Sequence, residues 1–503
     1  MTIYRRFLCL HVICILLIGL PVTADENSVL NADDHLHRAI TAVLGHRVCR
    51  EGQVGIYVSE LSTGRSVFEH NPDLPLKPAS NQKILTTIGA LGLLSPEYAF
   101  STHVMRDESG TQAIVEGNLY IIGGGDPFLV KEQLWILANQ VYTAGIREVK
   151  GDIVADGSIF DDNGIPSPDW QRIKMPLWYN APTGGLAFNF NAVSVVATPG
   201  SLPGQPVTII ADPALEYFQV SGEPTTGEKG SKITLILDIK EQDGFCSLVV
   251  KGRMPAGCET QSYYRHVSDS ARYAGYAFKH YLEQNGVIVR GTVQPGKTPD
   301  SAGEVTLYQS DPLFILLQKA NKFSNNFMME QAVKTIAAEV HGKPGTTRQG
   351  LDAILGYLQK TGCVSTEGMV MSDGSGLSMN NRISARQFVD IMRYAVNESS
   401  FGPEFVTMLP VAGVDGTLRR RLKDHPEKRL VRGKTGLIDN VVCLTGLVDG
   451  RGGKGLAFSI LINNNRSRHR DSKQIQDQII EALLDYWKAI GKNGPTESGH
   501  PES

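Results

Sequence analysis

Cysteine is scarce in this sequence. There are 7 in 503 residues, and two of them, Cys9 and Cys14, fall in an N-terminal apolar run. The remaining five, Cys49, Cys246, Cys258, Cys363 and Cys443, cannot all pair within the chain, so stability must come mainly from packed cores. Cys246 and Cys258 are near enough in sequence to staple a hairpin. Neither sign of charge dominates: 49 Lys and Arg face 52 Asp and Glu, for a formal net charge of −3. A nucleic-acid-binding protein would carry a basic excess, and none is present. There is no His-Glu-x-x-His, and the 12 histidines are scattered, which argues against a metallopeptidase. His35, His37 and His469 read as surface residues. A phosphate loop of the GxxxxGK[ST] type is also missing; Gly123-Gly124-Gly125 runs into Asp126-Pro127 and reads as a turn. No metal and no cofactor is expected.

What is present begins with a leader. Arg5-Arg6 precedes the apolar stretch Phe7 to Leu20, and Val22-Thr23-Ala24 supplies small residues for a signal peptidase. Residues 1–24 therefore read as a signal peptide cleaved after Ala24. The apolar run is short for a membrane span, and no later stretch reads as one. The mature chain is expected in the periplasm, soluble or loosely held at a membrane. Residues 491–503 read as a disordered tail.

The 52 glycines and 25 prolines mark a turn-rich chain whose length suggests several domains. An amphipathic helix is predicted over Asn31 to Leu44, then strands at Gln53 to Val58 and Ser66 to Phe68 around a polar turn. From about residue 104 short apolar strands alternate with glycine-rich turns, and residues 198–257 alternate apolar and polar as a small β unit. Helices return beyond 305: Asp311 to Asn321, Phe327 to Val340, Leu351 to Thr361 and Ala385 to Val396. Strands follow at Arg429 to Gly436, Val441 to Val448 and Leu456 to Ile462, with a hairpin turn at Asp449 to Gly455. A last helix spans Ser472 to Ile490. The reading is a mixed α+β catalytic domain split into residues 25–103 and 296–490. An inserted domain occupies 104–197 and 258–295, and a β-rich domain, 198–257, is inserted within it.

The chemistry centres on Ser80-Asn81-Gln82-Lys83, just before a helix whose apolar face is Ile84, Ile88, Leu91 and Leu94. A serine hydroxyl needs a neighbour to take its proton, and a lysine one helical turn away can do so if burial lowers its pKa. Ser-x-x-Lys alone is a weak signal, since Ser80 could simply cap the helix. Two later segments give it meaning: Ser324-Asn325-Asn326 between two predicted helices, and Lys434-Thr435-Gly436 on a predicted strand. Together, in this order, they match the Ser-x-x-Lys, Ser-Asp-Asn and Lys-Thr-Gly set of penicillin-binding proteins and serine β-lactamases. Asn325 stands where that set has aspartate.

The chain thus closely resembles the class C low-molecular-mass penicillin-binding proteins, the D-alanyl-D-alanine carboxypeptidase/endopeptidases of the penicillin-binding protein 4 family (peptidase family S13). The resemblance extends to Asp373-Gly374-Ser375-Gly376-Leu377-Ser378, Asn381-Arg382 and Leu409 to Leu418, and to the 244 residues separating Ser80 from Ser324. It implies a β-lactamase/transpeptidase-like fold with an antiparallel sheet, a helical subdomain and nested inserted domains. It implies that Ser80 is the acylated nucleophile, Lys83 its base, Ser324 and Lys434 a proton relay, and Asn326 a contact to substrate and to Lys83. Thr435, Gly436 and Leu437 would line the substrate site, with the N–H groups of Ser80 and Leu437 holding the oxyanion. The implied partners are peptidoglycan stem peptides and cross-links, with β-lactams as covalent inhibitors. Asp156, Asp161 and Asp162 are candidates for meeting an amino group of the stem peptide. Asp373 to Leu377 reads as a rigid turn. A serine β-lactamase, or a non-catalytic peptidoglycan-binding relative, would share the motifs; no deacylating glutamate can be assigned for the former.

Overall fold

The computed structural model describes residues 24–491, so the leader and tail readings fall outside the described residues. Its main sheet has five strands in the order Val431–Ile438, Val441–Val448, Leu456–Asn463, Gln53–Glu60, Ser66–His70, all antiparallel. The two halves of the chain, residues 53–70 and 431–463, meet here, with Gln53 opposite Asn463 and Glu60 opposite Leu456. Val441–Val448 and Leu456–Asn463 are buried at every position. That is the behaviour of apolar, β-branched strands covered on both faces. One face packs on the N- and C-terminal helices, Ala24–Leu44 and His469–Gly491, through Leu36, Ile40, Ile479 and Leu483. The other packs on a helical layer formed by Lys83–Leu94, Leu313–Phe323, Asn326–His341, Thr347–Lys360 and Ala385–Asn397. Gly402–Met408 adds a short helix that the periodicity did not reveal.

Lys83–Leu94 is apolar around its circumference and buried from Lys83 to Leu91, as suits the centre of a helical layer. Two glycines let it approach Thr347–Lys360. A Cβ on Gly89 would lie 2.7 Å from Ile354, and one on Gly92 2.0 Å from the Tyr357 ring.

Residues between these halves build a second five-stranded sheet, ordered Val293–Pro295, Ile153–Asp156, Leu119–Ile122, Ser101–Arg106, Gly303–Gln309. Its last strand pairs with Ser101–Arg106, although sequence boundaries assigned 296–490 to the catalytic region. Gly303–Gln309 is half-exposed along most of its length and carries little alternation to mark it. Small sheets fill 192–266, with Phe245–Lys251 between Phe218–Ser221 and Ile236–Gln242. The hairpin staple is not formed, because all five cysteines described are free. Cys246 points into the core with Tyr217 and Leu248, whereas the Cys258 thiol donates to the Glu259 carbonyl. His35, His37 and His469 are exposed.

Candidate active site

Ser80 sits in a short 3-10 turn, Ala79–Gln82, that leads directly into Lys83–Leu94, so it is not a helix cap. Ala79 is held at φ 47°, a left-handed conformation that costs an alanine energy and is tolerated where the surroundings enforce it. The enforcing contacts come from both sides. Asn81 Nδ2 donates to Thr445 Oγ1 at 2.8 Å, pinning the turn to the sheet. Gly436 lets the edge strand Val431–Ile438 run across it, since a Cβ there would lie 2.6 Å from the Pro78 carbonyl oxygen. Gly376, at φ +84°, crowds the turn from the other side, where a Cβ would meet the Ala79 oxygen at 1.8 Å.

Lys83 is fully buried. Its Nζ donates to Ser80 Oγ at 3.1 Å, Asn326 Oδ1 at 2.7 Å and the Ser375 carbonyl at 2.6 Å. Burial lowers its pKa to about 7, against the opposing pull of Asp373 and Glu330. Desolvation is thus the main cause of the shift, rather than a second cation. The repulsion between the two lysines falls on Lys434, which is pushed well below its ordinary value by burial first and by Lys83 second. Lys434 Nζ donates to Ser324 Oγ at 2.8 Å and to the Thr435 carbonyl at 2.9 Å.

The Ser324-Asn325-Asn326 segment does two jobs at once. Ser324, at φ 57°, ends Leu313–Phe323 in the left-handed conformation, which turns its hydroxyl toward Lys434. Asn325 caps the next helix by accepting from the Met328 N–H. Asn326 follows on that helix, accepts from Lys83 and donates from Nδ2 to the Tyr179 carbonyl at 2.8 Å. Asn325 thus caps the helix, while its neighbours Ser324 and Asn326 accept from the two buried lysines. Thr435 Oγ1 donates to Thr417 Oγ1 at 2.9 Å, and Leu437 is exposed on the same strand.

The structure also brings in groups that sequence reasoning did not single out. Glu330 lies one turn beyond Asn326, buried, and accepts from the Gly374 and Ser375 N–H groups. Burial, with Asp373 nearby, raises its pKa. Trp170, on the short turn Pro168–Arg172, donates its indole N–H to buried Asp373 at 2.9 Å. Thr417 lay inside the Leu409 to Leu418 resemblance without a role. Of the three aspartates proposed for an amino group, Asp156 is committed to the Ser158 and Thr298 N–H groups. Asp161 pairs with buried Lys334. Asp162 is exposed and lines a cavity of ≈ 810 Å³ together with Trp170 and Asn180. Ser80 and Lys83 are not part of that cavity wall; Tyr179, whose carbonyl holds Asn326, adjoins it in sequence.

This arrangement pairs a hydroxyl with a buried amine whose pKa is lowered to about 7, and a second hydroxyl with a second buried amine. Such a set can form and release a covalent ester. The sequence matches the model of the D-Ala-D-Ala carboxypeptidase 3 (S13) family over residues 36–486. It is 32% identical over 480 residues to a D-alanyl-D-alanine carboxypeptidase of an Actinomadura species, covering 93% of this chain and 87% of the relative. It is 26% identical to D-alanyl-D-alanine carboxypeptidase DacB of Haemophilus influenzae, covering 85% and 89%. The fold matches the crystal structure of penicillin binding protein 4 from Haemophilus influenzae with a TM-score of 0.76, at 23% identity, over 89% of this chain and 99% of that one.

Proposed function

The chain belongs to the D-Ala-D-Ala carboxypeptidase S13 family, and from that premise we propose that it is a serine D-Ala-D-Ala carboxypeptidase and endopeptidase acting through a Ser80 acyl-enzyme. The observation that carries the assignment is the pairing of Lys83 Nζ with Ser80 Oγ and of Lys434 Nζ with Ser324 Oγ. Ser80 Oγ attacks the carbonyl of the penultimate D-alanine and passes its proton to neutral Lys83. The N–H groups of Ser80 and Leu437 receive the oxyanion, a contribution of roughly 3 to 4 kcal/mol for a well-aimed donor. The tetrahedral adduct collapses, the C–N bond breaks, and the departing amine takes the Ser324 hydroxyl proton, which Lys434 replaces. The proton that Lys83 took from Ser80 passes to Lys434, which leaves Lys83 neutral again; water then attacks the ester, giving its proton to Lys83, which returns it to Ser80 Oγ as the C–O bond breaks. Thr435 and Lys434 bind the terminal carboxylate of a peptide or the equivalent acid of a β-lactam.

The substrates are peptidoglycan stem peptides and cross-links. Asp162, exposed on the cavity wall, is the carboxylate offered to an amino group of the stem peptide, since Asp156 is held by N–H donors and Asp161 by Lys334. The apolar leader directs the chain to the periplasm. Among the described residues no helix is long and apolar enough to cross a membrane.

Incubation with a pentapeptide ending in D-Ala-D-Ala tests the reading. D-alanine release that disappears in Ser80→Ala and Lys83→Met supports it; release that persists in Ser80→Ala refutes it. A cross-linked dimer as substrate, run beside it, reports the endopeptidase reaction.

A further inference from the structure

The carbonyl that accepts from Lys83 belongs to the Ser375–Gly376 peptide. The N–H of that same peptide unit donates to Asp373 Oδ1 at 2.8 Å. One peptide therefore stands between a buried carboxylate and the buried amine, oriented so that each hydrogen bond polarises the other. The second oxygen of Asp373 accepts from the Ser378 N–H and, at 2.9 Å, from the Trp170 indole. Asn381 Nδ2 completes the cage on Oδ1 at 2.8 Å. Three of these four donors come from the catalytic region itself. Trp170 comes from the inserted region, on the short turn Pro168–Arg172.

That turn grips the same loop elsewhere. Asp169 accepts from the Met379 N–H at 2.7 Å, and Arg172 donates to the Leu377 carbonyl at 2.9 Å. Trp170 is buried and also walls the ≈ 810 Å³ cavity of the inserted region. A carboxylate fully enclosed near a catalytic lysine has a large effect on that lysine's charge, because little water screens it.

We propose that Asp373 and Trp170 are positioning residues through which the inserted region sets the orientation and charge of Lys83. The proposal rests on Lys83 acting as the base for Ser80. Asp373 fixes the acceptor carbonyl of Lys83 and supplies negative charge behind it. Trp170 neutralises part of that charge with its N–H. The groups facing this pair are Glu330 from Asn326–His341, which braces the same loop, Lys434 from the edge strand, and Asp169 with Arg172 beside Trp170. Burial holds Lys83 low, while Asp373 and Glu330 both pull it up.

The test is the pH profile of Ser80 acylation by benzylpenicillin in the full chain, followed by intact mass, with thermal melting as a control for folding. Wild type should lose rate as pH falls through about 7. Trp170→Phe removes the N–H donor, leaves the Asp373 charge less compensated and moves this acid limb upward by roughly half a pH unit. Asp373→Asn places an amide among N–H donors and lowers the plateau rate at least ~100-fold. In the Asp373→Asn background, adding Trp170→Phe should cause no further shift, as expected of two residues acting in series. A Trp170→Phe limb that coincides with wild type, whatever happens to the plateau or the melting temperature, overturns the proposal. So does a limb shift of equal size in the Asp373→Asn background. If Asp373→Asn does not fold, the Trp170→Phe limb alone decides. Failure of wild type to acylate at Ser80 would instead refute the catalytic reading on which the proposal rests, and is read separately.

Discussion

Lys434 Nζ donates to Ser324 Oγ at 2.8 Å from a fully buried position. A buried lysine with no carboxylate partner among the described residues is costly to the fold, so its presence there is explained by chemistry rather than stability. Lys434→Met should leave the melting temperature unchanged or raise it, while lowering Ser80 acylation by at least ~100-fold. Thermal melting and acylation kinetics on the same preparation check both halves.

The depressed pKa of Lys83 fixes the sign of the pH response. The neutral amine is the active form, so acylation should rise with pH through about 7 and then level off. Stability carries the same sign from this group. Its folded pKa lies below its ordinary 10.5, so between those values the unfolded chain binds more protons, and Lys83's contribution is lost as pH falls through that window. Glu330, raised by burial, works oppositely: its contribution is present at acid pH and lost as pH rises through its elevated value. Lys83→Met should therefore flatten the stability profile above pH 7. Chemical denaturation over a pH series measures it.

Adjacent asparagines should separate cleanly. Asn325 caps a helix, so Asn325→Ala should cost about 1 kcal/mol of stability with acylation largely retained. Asn326 holds Lys83, so Asn326→Ala should abolish most acylation. Urea melts and acylation rates, compared between the two variants, decide this.

Thr417 and Thr435 share a hydrogen bond at 2.9 Å on the edge of the site. Thr417→Val keeps the shape and removes the acceptor. Losing one hydrogen bond of about 1 kcal/mol should raise KM for a D-Ala-D-Ala peptide roughly five-fold and leave kcat close to wild type. Steady-state D-alanine release reports both constants.

Ser80, Lys83, Ser324, Asn326 and Lys434 could be singled out from the chain because each motif is local; the first two motifs lie at helix boundaries, and Lys434 lies within the strand Val431–Ile438. In the main sheet Val441–Val448 and Leu456–Asn463 were legible as apolar runs. Gly303–Gln309 was not, because a half-exposed edge strand carries a weak pattern. Trp170 and Asp373 lie 203 residues apart, and no local signal announces a hydrogen bond across that distance. Glu330 carries no such signal either, because Asn326, Gln331, Lys334 and Thr335 are polar residues of the same helix, and only the structure shows that they are all buried. The cause of the Lys83 shift also required the structure, because burial cannot be weighed against neighbouring charge from spacing alone.

The most direct test of the account is the intact mass of the wild-type and Ser80→Ala proteins after brief exposure to benzylpenicillin, with peptide mapping of any adduct. Wild type should carry one penicilloyl group, located at Ser80, and Ser80→Ala none. An adduct that survives in Ser80→Ala, or maps to another residue, would contradict it.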